Sequence, residues 1–586
     1  MNPAQFLSHF DRFSEAPDAI PRLRRFILDL AVRGRLVGQG HSEEPASELL
    51  KRIQAEKARL VKKGIIRREN PQAEIKTDEI PFALPDYWAW TRLGDLIHLV
   101  SGQHLQPTEY SGQKQSGPPY ITGPADFGQN GLVITRYAVV RKAIANKGQI
   151  LLTVKGAGVG KTAICDLPEV AISRQLMAMT AIEWCQQFLL LVTHRLAETL
   201  KESARSLIPG ISREDVEQFI FPIPPLAEQQ RIVTKVDELM ALCDRLEAAQ
   251  ALREKQRDRL AASSLSRLNN GADPDAFRNH ARFTLDNLPR LTTRLEHIQQ
   301  LRQTILNLAV RGKLVPQDHH DESAFELLRR IEAEKVRQLK SGKLKQQKPL
   351  ADADIIEAPF EIPNSWCWSR IDDCFAVGGG IQKTPARTPK DNPYSYIGVA
   401  NVYRGRLDLS EVKKFELLEG DLERFRLVKG DILVVEGNGS PNEIGRCAVW
   451  SGEITECVHQ NHIIRCRPFI LGLTPFALRF LNSPNGTEIM KMLAITSSGL
   501  YSLSVGKIRT IVIPIPPLTE QHRIVAKVDE LMALCDRLEA QFTTAQTESR
   551  RLLEAVLHEA LTGAAGETKE CHDIRDASTV LGTGFL

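Results

Sequence analysis

Between residues 228 and 248 apolar side chains return at alternating steps of four and three: Ile232, Val236, Leu239, Cys243 and Leu246. That spacing is the a/d stripe of a coiled-coil seam and predicts a long helix over 228–268. The same stripe at Ile524, Val528, Leu531, Cys535 and Leu538 predicts a second helix over 520–562. Pro224-Pro225 and Pro516-Pro517 mark the helix starts, and Glu228 and Glu520 fall in the first turn, where the helix dipole favours a carboxylate. After the break NNGADPD a third stripe, Leu295, Ile298, Leu301, Ile305 and Leu308, predicts a returning helix over about 291–312. It and the first seam helix read as an antiparallel hairpin. The last seam helix finds its expected partner in an N-terminal helix around 21–36, a near copy of the returning one, which would close the chain on itself with pseudo-twofold symmetry. The alternative is that each seam packs on its own domain.

The near copies extend well beyond the helices. Residues 222–248, PIPPLAEQQRIVTKVDELMALCDRLEA, return at 514–540 with three of 27 positions changed (Ala227/Thr519, Gln230/His522, Thr234/Ala526). ILDLAVRGRLV at 27–37 returns at 305–315, and SELLKRIQAEK at 47–57 returns as FELLRRIEAEK at 325–335. Aromatic lead-ins end at Trp90 and Trp368. Early blocks are offset by 278 residues and late blocks by 292, so the 14 extra residues of the second half lie between Trp368 and Pro514. The stretches 91–221 and 369–513 are otherwise dissimilar. A repeat this long implies two copies of a whole domain with its connectors: a constant frame doing a common task and two variable inserts doing specific ones.

Each insert reads as mixed α/β, with short strands between Gly and Pro turns. KGQILLTVKGAGVGKTAICDLPEVAISRQLMAM and KGDILVVEGNGSPNEIGRCAVWSGEITECVHQNHIIRC align as strand, glycine turn, strand, strand. The alignment disposes of a tempting phosphate loop at Gly156–Thr162. Its spacing is one residue short, a strand follows where a helix is required, and the second copy lacks the Lys-Thr pair. Gly117-Pro118-Pro119-Tyr120 resembles an amino-methyltransferase motif but has no side chain at its first position to accept from a target amine. It fits better as the start of a strand, shared with Asn392-Pro393-Tyr394. No HExxH, GxSxG or paired Cys/His cluster occurs. No catalytic residue and no metal ligand is therefore expected.

Bulk composition changes this picture little. The 586 residues hold 42% hydrophobic and 25% charged residues, ordinary for globular protein, and the net charge of +4 permits a nucleic-acid partner without establishing one. No apolar run approaches a membrane span, and MNPAQFLSHFDRFSEAPD has no secretory apolar core. Ten cysteines without CxxC spacing suit a reducing cytoplasm.

What the inserts offer is DNA-compatible chemistry on loops. In the first these residues are Gln103, His104, Gln106, Gln113, Lys114, Gln115, Arg174 and Gln175. In the second they are Gln382, Lys383, Arg387, Lys390, Asn401, Tyr403, Arg404, Arg406, Gln460 and Asn461. Arg, Lys, Asn and Gln are the types that read base edges and hold phosphates. Ser173-Arg174-Gln175 and His459-Gln460-Asn461 are read as equivalent.

The motif PIPPLxEQxRIVxKVDELMALCDRLE, the segment LAVRGKLVPQD followed by ELLRRIEAEK, and the lead-in PFEIPxxWxW resemble the DNA-specificity subunit of type I restriction-modification enzymes, over about residues 20–562. The resemblance implies a non-catalytic subunit that reads a bipartite, asymmetric site on double-stranded DNA. It implies two α+β target-recognition domains separated by two long antiparallel coiled-coil regions. It also implies assembly with two adenine-methylating modification subunits and with restriction subunits, which own the S-adenosylmethionine, ATP and magnesium. Alternatives are a methylation-only complex without a restriction subunit, or a scaffold that does not touch DNA.

The division expected on that basis starts with an N-terminal helical segment at 1–78 and target-recognition domain 1 at 79–222. A central helical spacer at 223–355 follows, then target-recognition domain 2 at 356–514, a distal helix at 515–565 and a disordered tail at 566–586. A spacer helix of about 35 residues would be roughly 50 Å long, against about 34 Å for one DNA turn. A chain cut near Asn270 would be expected to pair with its own copy by exchanging helices.

Overall fold

The computed structural model describes residues 16, 18–40, 42–66, 74–114, 117–156, 158–203, 210–270, 273–350, 358–437, 443–494 and 501–562. The tail expected at 566–586 lies outside the described residues. The chain divides into two units, residues 1–251 with 546–586, and residues 252–545. Each unit holds one variable insert, the first part of one seam helix and the last part of the other.

In the first unit the helix Ala19–Val32 ends on Gly34, whose positive φ closes a Schellman turn with Gly34 N–H on Ala31 O and Arg35 N–H on Leu30 O. A Cβ at Gly34 would stand 2.7 Å from Pro85 Cγ and 3.1 Å from Trp88. The turn therefore docks the aromatic lead-in directly on the helix end. Arg33 lies over Phe82, which meets Trp90 edge-on at 5.0 Å. Trp88 Nε1 donates to Glu228 at 3.0 Å, and Gln39 Nε2 donates to its other oxygen at 2.8 Å. Gln229 closes the knot, donating to Pro224 O and accepting from Cys185 N.

The second unit builds the same knot. Gly312 stands at φ +69 against Pro363 and Trp366, Arg311 lies over Phe360, and Phe360 meets Trp368. Trp366 Nε1 and Gln317 Nε2 donate to Glu520 at 3.0 and 2.6 Å. The near-identity of the two frames thus has a local reason: three distant segments converge on one buried carboxylate. The first-turn glutamates, expected to serve the helix dipole, act as the centre of that convergence.

The seam helices run Leu226–Asn270 and Leu518–Thr562, 45 residues each and about 67 Å long, longer than the sequence suggested. Ile232, Val236 and Cys243 are buried, and Leu239 and Leu246 half-buried, in a core shared with Ile20, Ile27, Leu28 and Ala31. Ile524, Val528, Cys535, Leu531 and Leu538 pack likewise with Ile298, Leu301, Ile305 and Leu308 of the helix Leu295–Val310. The stripe is an interior face as expected, but each seam meets the short helix and insert of its own unit. The first seam helix reaches the returning helix with its last third, from Asp258 on His297 to Asn269 on Asn307, with Leu265 and Leu268 between them. The simple hairpin is thereby corrected, because the a/d stripe and the helix end serve different partners. A further helix, Pro274–Asp286, follows the break and fills the stretch before the returning helix, capped by Asp273 on Asp275 N and Ala276 N. The expected partnership of the last helix is found: Leu553, Val556 and Leu557 pack on Ala16, Ala19, Leu23 and Phe26.

Each insert carries an antiparallel four-stranded sheet. In the first, the order is Thr162–Ile164, Ile150–Thr153, Leu176–Ala181, Ile97–Ser101. In the second it is Cys447–Val449, Ile432–Val435, Ile463–Pro468, Phe375–Gly379, the same connectivity. Strand alternation splits each sheet between two cores. Ile150 and Leu152 join the core shared with the frame, whereas Leu151 faces a second core with Ile121 and Ile172. Ile432 and Val434 are separated from Leu433 and Val435 in the same way. A pair of short parallel strands follows the same plan in both, Tyr120–Ile121 with Glu169–Ile172 and Pro393–Ile397 with Val458–His459. The third strand is added on opposite edges: Ile144–Asn146 extends from Glu169–Ile172, but Lys413–Glu416 extends from Pro393–Ile397.

Candidate nucleic-acid interface

The polar loops of both inserts converge at the parallel strand pair. In the first insert Gln103 N–H donates to Ile172 O and Gly102 N–H to Leu176 O, both at 3.0 Å. A Cβ at Gly102 would lie 2.0 Å from Ser173 O. Only glycine allows this approach, and it sets Gln103, His104 and Gln106 beside the turn that carries Arg174 and Gln175. All five side chains are exposed. The loop beneath them is fixed, with Gln106 N–H on Glu109, Lys142 Nζ on Glu109 at 2.6 Å, and the Tyr120 hydroxyl accepting from Leu105 N. The Lys142 and Gln106 bonds hold the Glu109 carboxyl below its usual range. Arg136, which the sequence reading passed over, lies exposed above the Tyr110 ring at 5.3 Å. Gln113 and Lys114 stand on the loop after Tyr110–Ser111, and Gln115 lies outside the described residues.

The second insert repeats the clasp. Ile381 N–H donates to His459 O and Asn461 N–H to Ile381 O, both at 2.8 Å, and a Cβ at Gly380 would stand 2.3 Å from His459 O. Gln382 and Lys383 are therefore set against Gln460 and Asn461. The loop that follows is clamped: Arg387 pairs with Asp421, while the Glu416 carboxylate accepts from the backbone N–H of Lys390, Asp391 and Asn392. These backbone bonds, Lys390 first, depress the Glu416 carboxyl. Gln382, Lys383 and Lys390 are left exposed on a rigid base. A cleft of 320 Å³ is lined by Gln460 together with Asn401, Tyr396 and Lys413. Lys413 was not singled out in the sequence because its strand has no counterpart in the first insert.

Asn401 is committed to the fold. The Asn401 amide is buried, accepting from Gly398 N–H and donating to Asp408 O and Glu411 O, so it closes the loop. Tyr403 and Arg406 sit on a hairpin, the ring lying between Arg406 and Arg446, and Arg404 donates to Thr487. All three side chains are exposed. His459 is wholly buried and its Nδ1 lies 3.0 Å from Phe425 O; burial lowers its pKa to about 3, so the ring is neutral.

The strand registers also shift one reading. Ile172 pairs with Ile121 as His459 does with Ile397, and Val154 N–H donates to Gln175 O as Glu436 N–H does to His462 O. Ser173, Arg174 and Gln175 therefore correspond to Gln460, Asn461 and His462, one residue later than the sequence comparison set them. The Gly156–Thr162 stretch, with Ala157 outside the described residues, is the tip of an antiparallel hairpin. Gly117 allows the close approach of Ala138 O, 1.8 Å from where its Cβ would be.

Two exposed, Arg-, Lys- and Gln-bearing loop clusters on matching scaffolds have the chemistry of paired DNA readers. Residues 85–254 and 363–545 each match the family described as type I restriction modification DNA specificity domain. The chain belongs to that family of DNA-specificity subunits. As a specificity subunit it supplies recognition of a DNA sequence within a type I restriction-modification complex, and not the catalysis. It is 31% identical to the specificity subunit of the type I restriction enzyme EcoAI from Escherichia coli, over 92% of this chain and 94% of that one. The EcoEI specificity subunit of Escherichia coli matches at 31% over the same shares. The crystal structure of the HsdS subunit from Thermoanaerobacter tengcongensis covers 82% of this chain and 98% of its own, at 17% identity and a TM-score of 0.39.

Among the described residues no helix of this specificity subunit is long and apolar enough to cross a membrane.

Proposed function

We propose that each insert reads one half of a bipartite, asymmetric site on double-stranded DNA, and that the frame docks two modification subunits, with restriction subunits joining them in the cytoplasm. S-adenosylmethionine, ATP and magnesium belong to those partners, and this chain supplies the sequence filter. One observation carries the reading: the same strand plan and the same glycine-mediated clasp present different side chains in the two units. Gln103, His104, Arg174 and Gln175 stand where the second unit has Ile381, Gln382, Asn461 and His462. Exposed cations hold phosphates, and amides and guanidiniums on a fixed base discriminate base edges.

The test replaces residues 91–221 with the corresponding insert of another specificity subunit and maps methylated adenines in cells carrying the modification subunits. One half of the recognised sequence should change while the other stays. A change in both halves, or in neither, refutes independent readers.

A further inference from the structure

The two places where a seam-helix end meets a short helix occupy equivalent positions in the repeat, yet their side chains are reciprocal. At the first joint, within residues 252–545, Asp258 accepts from Arg294 and from His297 Nε2, the latter at 2.8 Å. Beside them on the seam stand Ala261 and Ser264, both small and buried. Moving 292 residues along the seam and 278 along the short helix gives the second joint, within the other unit. There Asp258 is replaced by Arg550, Ala261 by Leu553, Ala262 by Glu554 and Ser264 by Val556. Opposite, Arg294 and His297 are replaced by Ala16 and Ala19, and Gln300 by Arg22. Arg550 faces Asp18 at 3.6 Å and Glu554 faces Arg22 at 3.8 Å, while Leu553 and Val556 fill the space over the two alanines. At the 258/550 position the seam carries an acid at the first joint and a base at the second, and one turn on the second seam adds Glu554 where the first has Ala262. Bulk sits on the short helix at the first and on the seam at the second.

We infer that this reciprocal pattern of charge and bulk selects which helix ends join, so that the chain closes on itself and rejects the exchanged pairing with a second copy. In an exchanged pair of N-terminal halves, Asp258 loses both donors and meets Asp18. Arg22 loses Glu554, and Ala261 and Ser264 leave the alanines uncovered. In an exchanged pair of C-terminal halves, Leu553 and Val556 meet His297 and overfill the site, and Arg550 comes to Arg294 although Glu296 stands where Asp18 does, so bulk more than charge opposes this pairing. Cavities and lost pairs of this kind together weaken an association by at least roughly 100-fold. The self-pairing expected of a half-chain from the likeness of residues 21–36 to the returning helix is thereby opposed, because that likeness stops short of Ala16 and Ala19, which face the seam end where Arg294 and His297 stand in the other copy.

The experiment places a specific protease site between Asn270 and Asp273, cuts the folded full chain, and follows the halves by native mass spectrometry after mixing differently tagged preparations. Halves of the cut chain should remain paired one to one, N-terminal with C-terminal, with no N–N or C–C pairs. A chain carrying D258R/A261L/A262E/S264V should form N–N pairs after cutting. Adding R294A/H297A/Q300R makes the seven compared positions alike at both joints and should let N–N and C–C pairs form beside the one-to-one pairs. N–N or C–C pairs from the cut parent chain overturn the inference. So does strict one-to-one pairing in the fully recoded chain.

Discussion

The buried glutamates at the starts of the seam helices allow a sharp separation of charge from hydrogen bonding. Glu228 is 1% exposed and accepts from Trp88 and Gln39. Burial pushes its carboxyl above the ordinary value, against the pull of those two bonds, and Glu520 behaves alike. A raised folded pKa means the folded state holds its proton more tightly than the unfolded chain. Each glutamate therefore makes stability fall as pH rises from the ordinary carboxyl value near 4.5 to the raised folded value, and contributes no slope outside that window.

Glu228→Gln removes the charge but keeps an oxygen for Trp88, and its new amide group can donate to Gln39, whose Oε1 is buried without a partner. Stability near pH 8 should stay within about 1 kcal/mol of the parent, and the acid-side slope should shrink. Glu228→Ala instead orphans a buried indole N–H and a buried amide and opens a void, a loss of about 3 kcal/mol. At roughly 2–4 °C per kcal/mol this lowers the first calorimetric transition by about 6–12 °C. Calorimetry of parent, Glu228→Gln and Glu228→Ala from pH 4.5 to pH 8 is the assay. If Glu228→Gln falls as far as Glu228→Ala at pH 8, the carboxylate is needed as a charge and the reasoning fails.

Replacing Asn401 by Ala should destabilise the second unit by about 2–4 kcal/mol through three lost buried hydrogen bonds, as read by denaturant unfolding. Lys383→Ala should leave stability within about 0.5 kcal/mol and lower the salt slope of DNA binding by about one phosphate contact; an unchanged slope removes Lys383 from the interface. Gly34→Ala should lower the stability of the first unit by about 2 kcal/mol, since φ is +66° and the methyl group meets Pro85, and calorimetry of the variant checks this.

Much of this specificity subunit was legible in the sequence because its frame is written twice. Repetition separates what every copy needs from what each copy varies, so the 278 and 292 offsets delimited the inserts without any structure. Helical period marked Ile232, Val236 and Cys243 as an interior face, since a side chain recurring every three or four residues has one direction in which to be buried. The same period could not say what covers that face. A stripe is compatible with any apolar partner, and the choice between a long hairpin and the short helix Ala19–Val32 was made by tertiary contacts.

Strand register was equally invisible. Aligning Ser173 with His459 by residue type misses by one position, because a parallel pair fixes correspondence through backbone hydrogen bonds that carry no side-chain signature. Residue type and loop position picked out side chains that the fold sets together, Gln103 beside Arg174 and Gln382 beside Gln460. It had no means to distinguish Lys383, exposed on a clamped loop, from Asn401, whose amide closes its own loop. That difference depends on which donors and acceptors the folded backbone leaves unpaired nearby, and only the tertiary structure decides it.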